Sequence, residues 1–418
     1  MIDYKRLIED VWEAGGKAYL VGGWVRDRLL GRPSEDIDIE VIGIERGKLE
    51  EILKGYGRYY RCGKAYEIYI LAHKVEISFI EGDIELGEAA MRRDFTINAL
   101  YYDPRDEKVF DCCGGKKDLE EGILKYIDRK KFLEDPIRIV RGAELSSRLG
   151  FEISDDLLAL MYENRELLRN AASERFVEEF RKIYLLSEKP SRAFEIMNGT
   201  GTLEMILPEI IGLKDIIQDE IYHPEGDVYT HILMMMDILP LEERSMDIFW
   251  SIIYHDVGKA ETWPDFRGHA KRSKEIFLEE GQRLIKDKKL IKRVAGLIEY
   301  HEEPLKFLIE GFDRIKVKRL AVKVDIEGLL KLYRCDVLGR GRKENNQELE
   351  TIEAIKTIYE EVKEELKPIV RGRDLIEWGA GDRERFSEIL EILYEAQLDE
   401  KIKDIEEAKV FYLRKIKV

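Results

Sequence analysis

The chain has 418 residues, with 70 Lys plus Arg against 86 Asp plus Glu, a formal net charge of -16. At 44% hydrophobic composition it is too apolar to be largely disordered, and no apolar run approaches the roughly 20 residues that cross a bilayer. Its length favours two to four domains, and its acidic total argues against a polyanionic partner. Residues 3–14 read as an amphipathic helix, 18–21 as a strand, 24–30 as a short helix and 36–42 as an alternating strand. A helix is expected over 45–55, then strands over 59–62 and within 65–80, with a hairpin-like turn around Ala72, His73 and Lys74. Beyond Asp118 the pattern turns helical, over 137–148, 155–169, 173–187 and 190–197, with Pro136 and Pro190 at helix starts. Helical blocks follow over about 226–340 and 343–418, the last broken at Pro368 to Arg373. The expected fold class is α+β: a small mixed-sheet head followed by an elongated all-helical body. Boundaries are expected near 1–111, 112–220, 221–342 and 343–418. Cys62, Cys112, Cys113 and Cys335 form no CxxC pair and the first residues do not read as a secretory signal, so a cytoplasmic setting is expected.

The densest chemistry is the run Leu20-Val21-Gly22-Gly23-Trp24-Val25-Arg26-Asp27, followed by Asp36-Ile37-Asp38. A strand ending in two glycines lets the backbone approach a ligand closely, and the helix that starts there aims its free N–H groups into the same space. Asp36 and Asp38, two apart on a strand, share a face, and two carboxylates side by side call for a cation; hard oxygen ligands suit Mg²⁺. Glu76, in Val75-Glu76-Ile77-Ser78, is the best-placed third carboxylate. Taken singly, a Gly-Gly turn or a DxD strand end is usually structural; their order and close spacing make the catalytic reading the stronger one.

These motifs resemble those of the class II tRNA nucleotidyltransferases and bacterial poly(A) polymerases, in which GG-x-VRD-x-LLG precedes DxD. Arg92-Arg93-Asp94-Phe95-Thr96-Ile97-Asn98-Ala99-Leu100 is similar to the family's second motif, which implies that Arg93, Asp94 and Asn98, with Gly22, Gly23 and Arg26, contact the triphosphate and sugar. Glu134-Asp135-Pro136-Ile137-Arg138 resembles its nucleotide-selecting motif. There Asp135 and Arg138 are expected one helical turn apart, reading the Watson–Crick edge of the base, with Arg141 one turn further on the same face. Ser173-Glu174-Arg175-Phe176 continues the likeness, although a capping box explains that stretch equally well. The resemblance implies transfer of nucleotides from CTP, and from ATP, to the 3' end of tRNA without a template.

Five of the six histidines, His223, His231, His255, His269 and His301, fall within 79 residues. His255-Asp256 interrupts an apolar helical run, and a charged pair buried there needs partners. The order His231, His255-Asp256, His269, His301, Asp336 resembles an HD-domain phosphohydrolase, implying these residues as ligands of a transition metal, Mg²⁺ or a metal pair. Lys259 would then contact phosphate, and His223 could equally cap a helix. In composite enzymes of this type the HD domain acts on 2',3'-cyclic phosphates and 2'-phosphates. The four segments are thus expected to be a nucleotidyltransferase head, a helical neck that selects nucleotide and binds RNA, an HD domain, and a tRNA-supporting tail.

One departure concerns Phe79 to Met91, where the family usually carries a longer, arginine-rich flexible stretch. Here the segment is short and carries Glu81, Asp83, Glu85 and Glu88. Such truncation resembles the members that add only the two cytidines and leave the adenosine to a partner enzyme, so CC addition is the expected product. Full CCA addition, a poly(A) polymerase and an HD phosphohydrolase with an inactive head are the alternatives. RNA is expected along local basic stretches: residues 116–148 hold nine Lys or Arg against seven acids, and Asp313 to Lys323 five against one.

Overall fold

Short β-branched and aromatic runs build the head. Lys17–Val21 (β1), Ile37–Ile42 (β2), Tyr59–Cys62 (β3), Glu67–Leu71 (β4), Val75–Ile80 (β5), Leu100–Asp103 (β6) and Lys108–Asp111 (β7) form one sheet. Their order is β3-β4-β5-β2-β1-β6-β7. The computed structural model describes residues 2–33, 36–62, 67–71, 75–342, 346–380 and 383–416, and the turn expected around Ala72 to Lys74 lies outside them. Within this sheet the strand pairs are antiparallel except β2 with β5, which run parallel with Asp38 opposite Glu76. One side of this sheet closes over Tyr19, Val21, Ile42, Ile80, Ala89, Ala90, Ala99 and Tyr101.

The chain divides into two compact units, residues 1–183 with 192–206 and residues 184–191 with 207–418. In the first, the sheet is followed by helices including Ile137–Leu149 and Asp155–Asn164. The second is helical, with Val228–Met236, Met246–Tyr254, His269–Glu280, Lys288–Tyr300 and Ile326–Gly339 around buried Phe249, Trp250, Tyr254, Phe277 and Tyr333. A separate apolar cluster that includes Val370, Leu375, Trp378, Leu393 and Tyr412 holds the tail. No helix among the described residues is long and apolar enough to cross a membrane.

The α+β architecture is as expected, with local differences. The helix expected at 24–30 starts at Gly22, and the one expected over 155–169 is helical only to Asn164, then tightens into a 3-10 turn. β6 and β7 escape the periodicity reading because each has four residues and β6 is buried on both faces, leaving no alternation to detect.

The basic stretch at 313–323 is largely neutralised within its own unit. Arg314 pairs with Glu361, Glu365 and Glu400, Lys318 with Glu365 and Glu400, Arg319 with Glu395 and Asp399, and Lys316 with Glu310. This helix clasps the acidic tail rather than presenting a bare cationic track.

Candidate functional site

In the head, β1 ends at Val21 and the next helix starts at once with Gly22 and Gly23. Gly22 has φ +64°, and a Cβ there would stand 3.1 Å from Asp38 Oδ2 and 3.8 Å from an Arg93 nitrogen. The pair of glycines therefore opens the space in front of Asp38. Asp38 is opposite Glu76 on the parallel neighbour, where the pleat puts both side chains on one side of the sheet. Asp36 precedes the strand and is exposed, as is Glu76. Burial, reinforced by Glu76 and Asp36 and opposed chiefly by Arg93, pushes the Asp38 carboxyl up to about 6. A carboxylate so uncomfortable lacks positive charge, and a divalent cation fits the donor set. The trio does not close a cage, because among the described residues the groups with three ligand atoms within 4.8 Å of one another all lie among the histidines. That openness suits Mg²⁺, which typically takes one or two carboxylates and completes its shell with water and substrate phosphates.

Glu40, two residues beyond Asp38 on the same strand, was not named from the sequence; its period-2 spacing from Asp38 is the signal that marks it. It is buried, accepts a hydrogen bond from Tyr101 (2.7 Å) and is ion-paired with Arg93. Burial pulls the Arg93 guanidinium down, but Glu40, Tyr101 and Asp38 outweigh it and raise its pKa. Arg93 is thus anchored by one buried acid while it leans on the carboxylate of the site.

The three head motifs meet in a single chain of hydrogen bonds. Arg26 donates to both oxygens of Asp27 (2.8 and 2.9 Å) and to Asn98 Oδ1 (2.8 Å). Asn98 Nδ2 donates to Asp94 (3.0 Å), whose other oxygen accepts from Arg141 (3.1 Å), and Arg141 reaches Glu179 at 3.4 Å. Asp94 is buried; burial alone would raise it, but Arg141 and Asn98 outweigh that and hold it below the ordinary range. Asp94 and Arg141 are therefore placed to set the Asn98 amide and the Arg26 guanidinium.

Asp135 and Arg138 lie one turn apart, as expected, but each side chain is engaged by other partners. Asp135 lies ahead of the Ile137–Leu149 helix and is held by both terminal nitrogens of Arg175 (2.6 and 2.7 Å). Arg138 donates to the carbonyls of Lys131 (2.6 Å) and Arg92 (3.0 Å). The Arg138 N–H donates to the Asp135 carbonyl (3.1 Å), so Asp135 closes the first turn of this helix, while its carboxylate lies at the N-terminal end, where Arg175 takes it. Capacity remains, since a carboxylate offers about four lone-pair positions, and Arg138 Nε is buried without a hydrogen-bond partner.

The histidine cluster is buried in the second unit, and all six expected ligands come together. His231, His255 and Asp336 form one group with ligand atoms within 4.8 Å, and Asp256, His269 and His301 another. His255, His269 and His301 each direct Nδ1 at the carbonyl three residues before, at 3.0, 2.8 and 2.8 Å. A carbonyl only accepts, so each Nδ1 carries the proton and each Nε2 presents a lone pair. Those lone pairs converge: His255 Nε2 is 3.2 Å from Asp256 Oδ2, and His269 Nε2 is 3.1 Å from Oδ1 and 3.2 Å from His301 Nε2. Two acceptor nitrogens facing each other beside a carboxylate are satisfied by a cation, and the nitrogen–oxygen donor set admits several divalent metals. His231 lies between Asp336 (3.0 Å) and Glu225 (2.8 Å), and Glu225 also holds His223 at 2.8 Å. Lys259 bonds Asp256 (2.7 Å) and Gln218 (2.7 Å). Glu225 and Gln218 were not found from sequence, because a carboxylate or amide in a turn carries no periodic signal.

Comparison with known proteins places these features in a family context. Residues 18–125 match the model described as "Poly A polymerase head domain", 150–212 that of "Probable RNA and SrmB- binding site of polymerase A", and 228–380 that of the HD domain. The chain is 35% identical over 292 residues to a Multifunctional CCA protein of Neisseria gonorrhoeae, covering 64% of this chain and 69% of that one. The fold is similar to that of the CCA-adding enzyme of Bacillus stearothermophilus in complex with CTP, at TM-score 0.71 and 19% identity over 99% of this chain and 97% of that chain. It is also similar to the Thermotoga maritima CCA-adding enzyme complexed with tRNA, at TM-score 0.62 and 22% identity over 98% and 94%.

Proposed function

The chain belongs to the CCA-adding and poly(A) polymerase family of nucleotidyltransferases, with an HD domain fused behind the head, and from that premise we propose that it builds the CCA end of tRNA from CTP and ATP. The observation that carries the reading is the Asp38–Glu76 register beside Gly22, an acidic notch open to a triphosphate. Asp36, Asp38 and Glu76 would hold Mg²⁺, which when bound neutralises phosphate charge and lowers the pKa of the attacking hydroxyl. Arg26, Arg93 and Asn98 then supply fixed donors to phosphate and sugar. The remaining lone pairs of Asp135 accept from the exocyclic amine of cytosine or adenine, while Arg138 donates to the adjacent ring nitrogen.

Full CCA addition is supported by the Multifunctional CCA protein among the relatives. The second reading, CC addition with a separate A-adding enzyme, keeps one specific observation: β5 ends at Ile80, and the short helix Leu86–Ala90 already leads to Arg92. Extension of a 3'-trimmed tRNA with both nucleotides decides between them. A product three residues longer and ending in A is expected; arrest after two cytidines refutes full addition, and a long adenosine tract indicates a poly(A) polymerase.

For the histidine cluster we infer hydrolysis of phosphate esters. His231, His255, Asp256, His269, His301 and Asp336 would hold the metal or metal pair, which supplies a Lewis acid and an acidified water. Lys259 would meet a phosphate oxygen. Asp36→Asn with Asp38→Asn should abolish CTP incorporation and spare ester hydrolysis, and His255→Ala with Asp256→Ala the reverse. Incorporation surviving the first pair would overturn the head assignment.

A further inference from the structure

We infer that Glu225 is the positioning residue that makes His231 a metal ligand through Nε2, doing with a carboxylate what a main-chain carbonyl does for His255, His269 and His301. The inference rests on the metal reading of the cluster above and adds to its six expected ligands a residue that orients one of them.

The four buried imidazoles stand at different places along their helices. His255 and His301 close the C-terminal ends of the Met246–Tyr254 and Lys288–Tyr300 helices. The last carbonyls of a helix lack intrahelical partners, so those of Ile252 and Ile298 can take the Nδ1 protons. His269 opens its helix and uses the carbonyl of Phe266 in the turn before it. His231 is the exception. It is the fourth residue of the Val228–Met236 helix, its own N–H already bonds the Asp227 carbonyl (3.1 Å), and the carbonyls of that first turn belong to the helix ladder. The helix therefore offers its Nδ1 no acceptor, and the ring is fully buried.

Glu225 fills that place. Its side chain is 1% exposed, and Oε1 stands 2.8 Å from His231 Nδ1 and 2.8 Å from His223 Nδ1. The contact with His223 is a well-formed hydrogen bond. The contact with His231 lies off the line of an N–H bond, and Glu225 Oε2 has no hydrogen-bond partner among the described residues. A small rotation of the carboxylate leaves Oε1 on His223 and turns Oε2 to His231, satisfying a buried donor and a buried acceptor together. The turn that carries Glu225 is pinned for this. Gly226 sits at φ +104°, its N–H donates to the His223 carbonyl (3.1 Å), and its carbonyl accepts from Gln218 N (3.1 Å). Asp227 then caps the helix through Thr230 N at 2.7 Å. Glu225 is thus held against the first turn of the helix in advance, as a supporting residue must be.

With Nδ1 committed, His231 offers Nε2, which lies 3.0 Å from Asp336 Oδ1 in the group shared with His255. All four imidazoles then present the same nitrogen. A carboxylate behind a ligating imidazole also raises its basicity, and with it the affinity for a cation. Ligand atoms of His223, Glu225 and His231 also lie within 4.8 Å of one another, so a cation held directly by Glu225 is the rival arrangement. It would use His231 through Nδ1, leave a proton on Nε2 facing Asp336, and take His231 out of the group with His255.

Calorimetric titration of Mn²⁺ or Ni²⁺ into the metal-depleted full chain separates the two. Glu225→Ala should weaken binding roughly 10–100-fold at unchanged stoichiometry, the scale for a carboxylate behind a ligand. Glu225→Gln keeps an oxygen that accepts from Nδ1 and should stay within about threefold of wild type. Loss of a metal equivalent, or equal losses in both variants, would make Glu225 a ligand and overturn the inference; so would full affinity in Glu225→Ala. Circular dichroism reports whether each variant keeps its helices. Should Glu225→Ala not fold, Glu225→Gln decides alone, and a loss of about tenfold or more overturns the inference. Nitrogen NMR of histidine-labelled, metal-depleted protein gives a reading that needs no metal. The Nδ1 proton of His231, identified as the resonance missing from His231→Gln, should be present in wild type and Glu225→Gln and lost to exchange in Glu225→Ala. A wild-type protein that takes up no metal refutes the metal reading alone, and the proton still decides on Glu225: its absence from wild type refutes the positioning role.

Discussion

Replacing Gly258 with alanine probes how the histidine cluster is assembled. Gly258 follows His255-Asp256 at φ -66°, a conformation open to any residue, so only space selects glycine. A Cβ there would lie 2.5 Å from the His269 carbonyl oxygen, 2.7 Å from Ser273 N and 2.9 Å from Ser273 Oγ. The first two are backbone atoms of the His269–Glu280 helix and cannot swing aside. Gly258 N also donates to Ser273 Oγ at 2.9 Å, and displacement of the helix breaks that bond. Overpacking a tight contact costs about 1–3 kcal/mol and the lost hydrogen bond about 1, so Gly258→Ala should lose about 2–4 kcal/mol. For a unit of this size that lowers Tm by roughly 5–15 °C. The displacement separates His269 from Asp256, so divalent-metal affinity, measured by calorimetry, should fall at least tenfold while CTP incorporation persists. Ser273→Ala removes only the hydrogen bond and should cost about 1 kcal/mol. A Gly258→Ala protein with unchanged Tm and unchanged metal affinity would refute the tight apposition of these two segments.

Arg93→Met strands the buried Glu40 carboxylate and should destabilise the protein by about 3–5 kcal/mol in denaturant titration; adding Glu40→Met should restore most of the stability without restoring nucleotide incorporation. Recovery of both together would show that Arg93 has no part beyond the ion pair. Arg175→Met releases a partly exposed partner of Asp135 and should cost under about 1 kcal/mol of stability, yet it should degrade the choice of CTP over UTP in single-nucleotide incorporation; unaltered selectivity would disconnect Arg175 from the base. Asp94, held below its ordinary range by Arg141 and Asn98, contributes stability that is fully present above the unfolded carboxylate pKa and is lost as pH falls through its lower folded value. The Tm deficit of Asp94→Asn should accordingly be constant from pH 8 to 5 and narrow only in stronger acid. A deficit that shrinks already between pH 7 and 6 would contradict this sign.

What was legible in the sequence depended on whether the signal was local. The order of the histidines and the His255-Asp256 doublet pointed to residues that the fold gathers from separate helices, whereas Asp36, read as sharing a strand face with Asp38, lies just ahead of the strand that begins at Ile37. Glu40 stands at the next period-2 position and was not named, and spacing alone does not tell a metal-facing acid from a buried one; that depends on Arg93 arriving 53 residues later in the chain. Asp135 and Arg138 show the same limit: their spacing of one helical turn is met, with the Arg138 N–H on the Asp135 carbonyl, but it does not foretell that Arg175, 40 residues on, holds the Asp135 carboxylate. Glu225 and Gln218 lie in a turn, where nothing but tertiary contact marks them.

The net charge of -16 likewise becomes informative only through its pairings. On composition it disfavours a polyanion, and the cationic run at 313–323 reads as an exception that would grip one. The acids at 361, 365, 395, 399 and 400 instead consume that run, so those charges hold the tail to its neighbouring helix. A cation already paired at 2.5–3.2 Å releases few counterions when RNA arrives, and it would have to surrender its carboxylate first. Any RNA grip must then come from cations whose partners are fewer or more easily exchanged. The number of phosphates neutralised is therefore smaller than the count of basic residues implies, and the slope of log affinity against log salt should be correspondingly shallow.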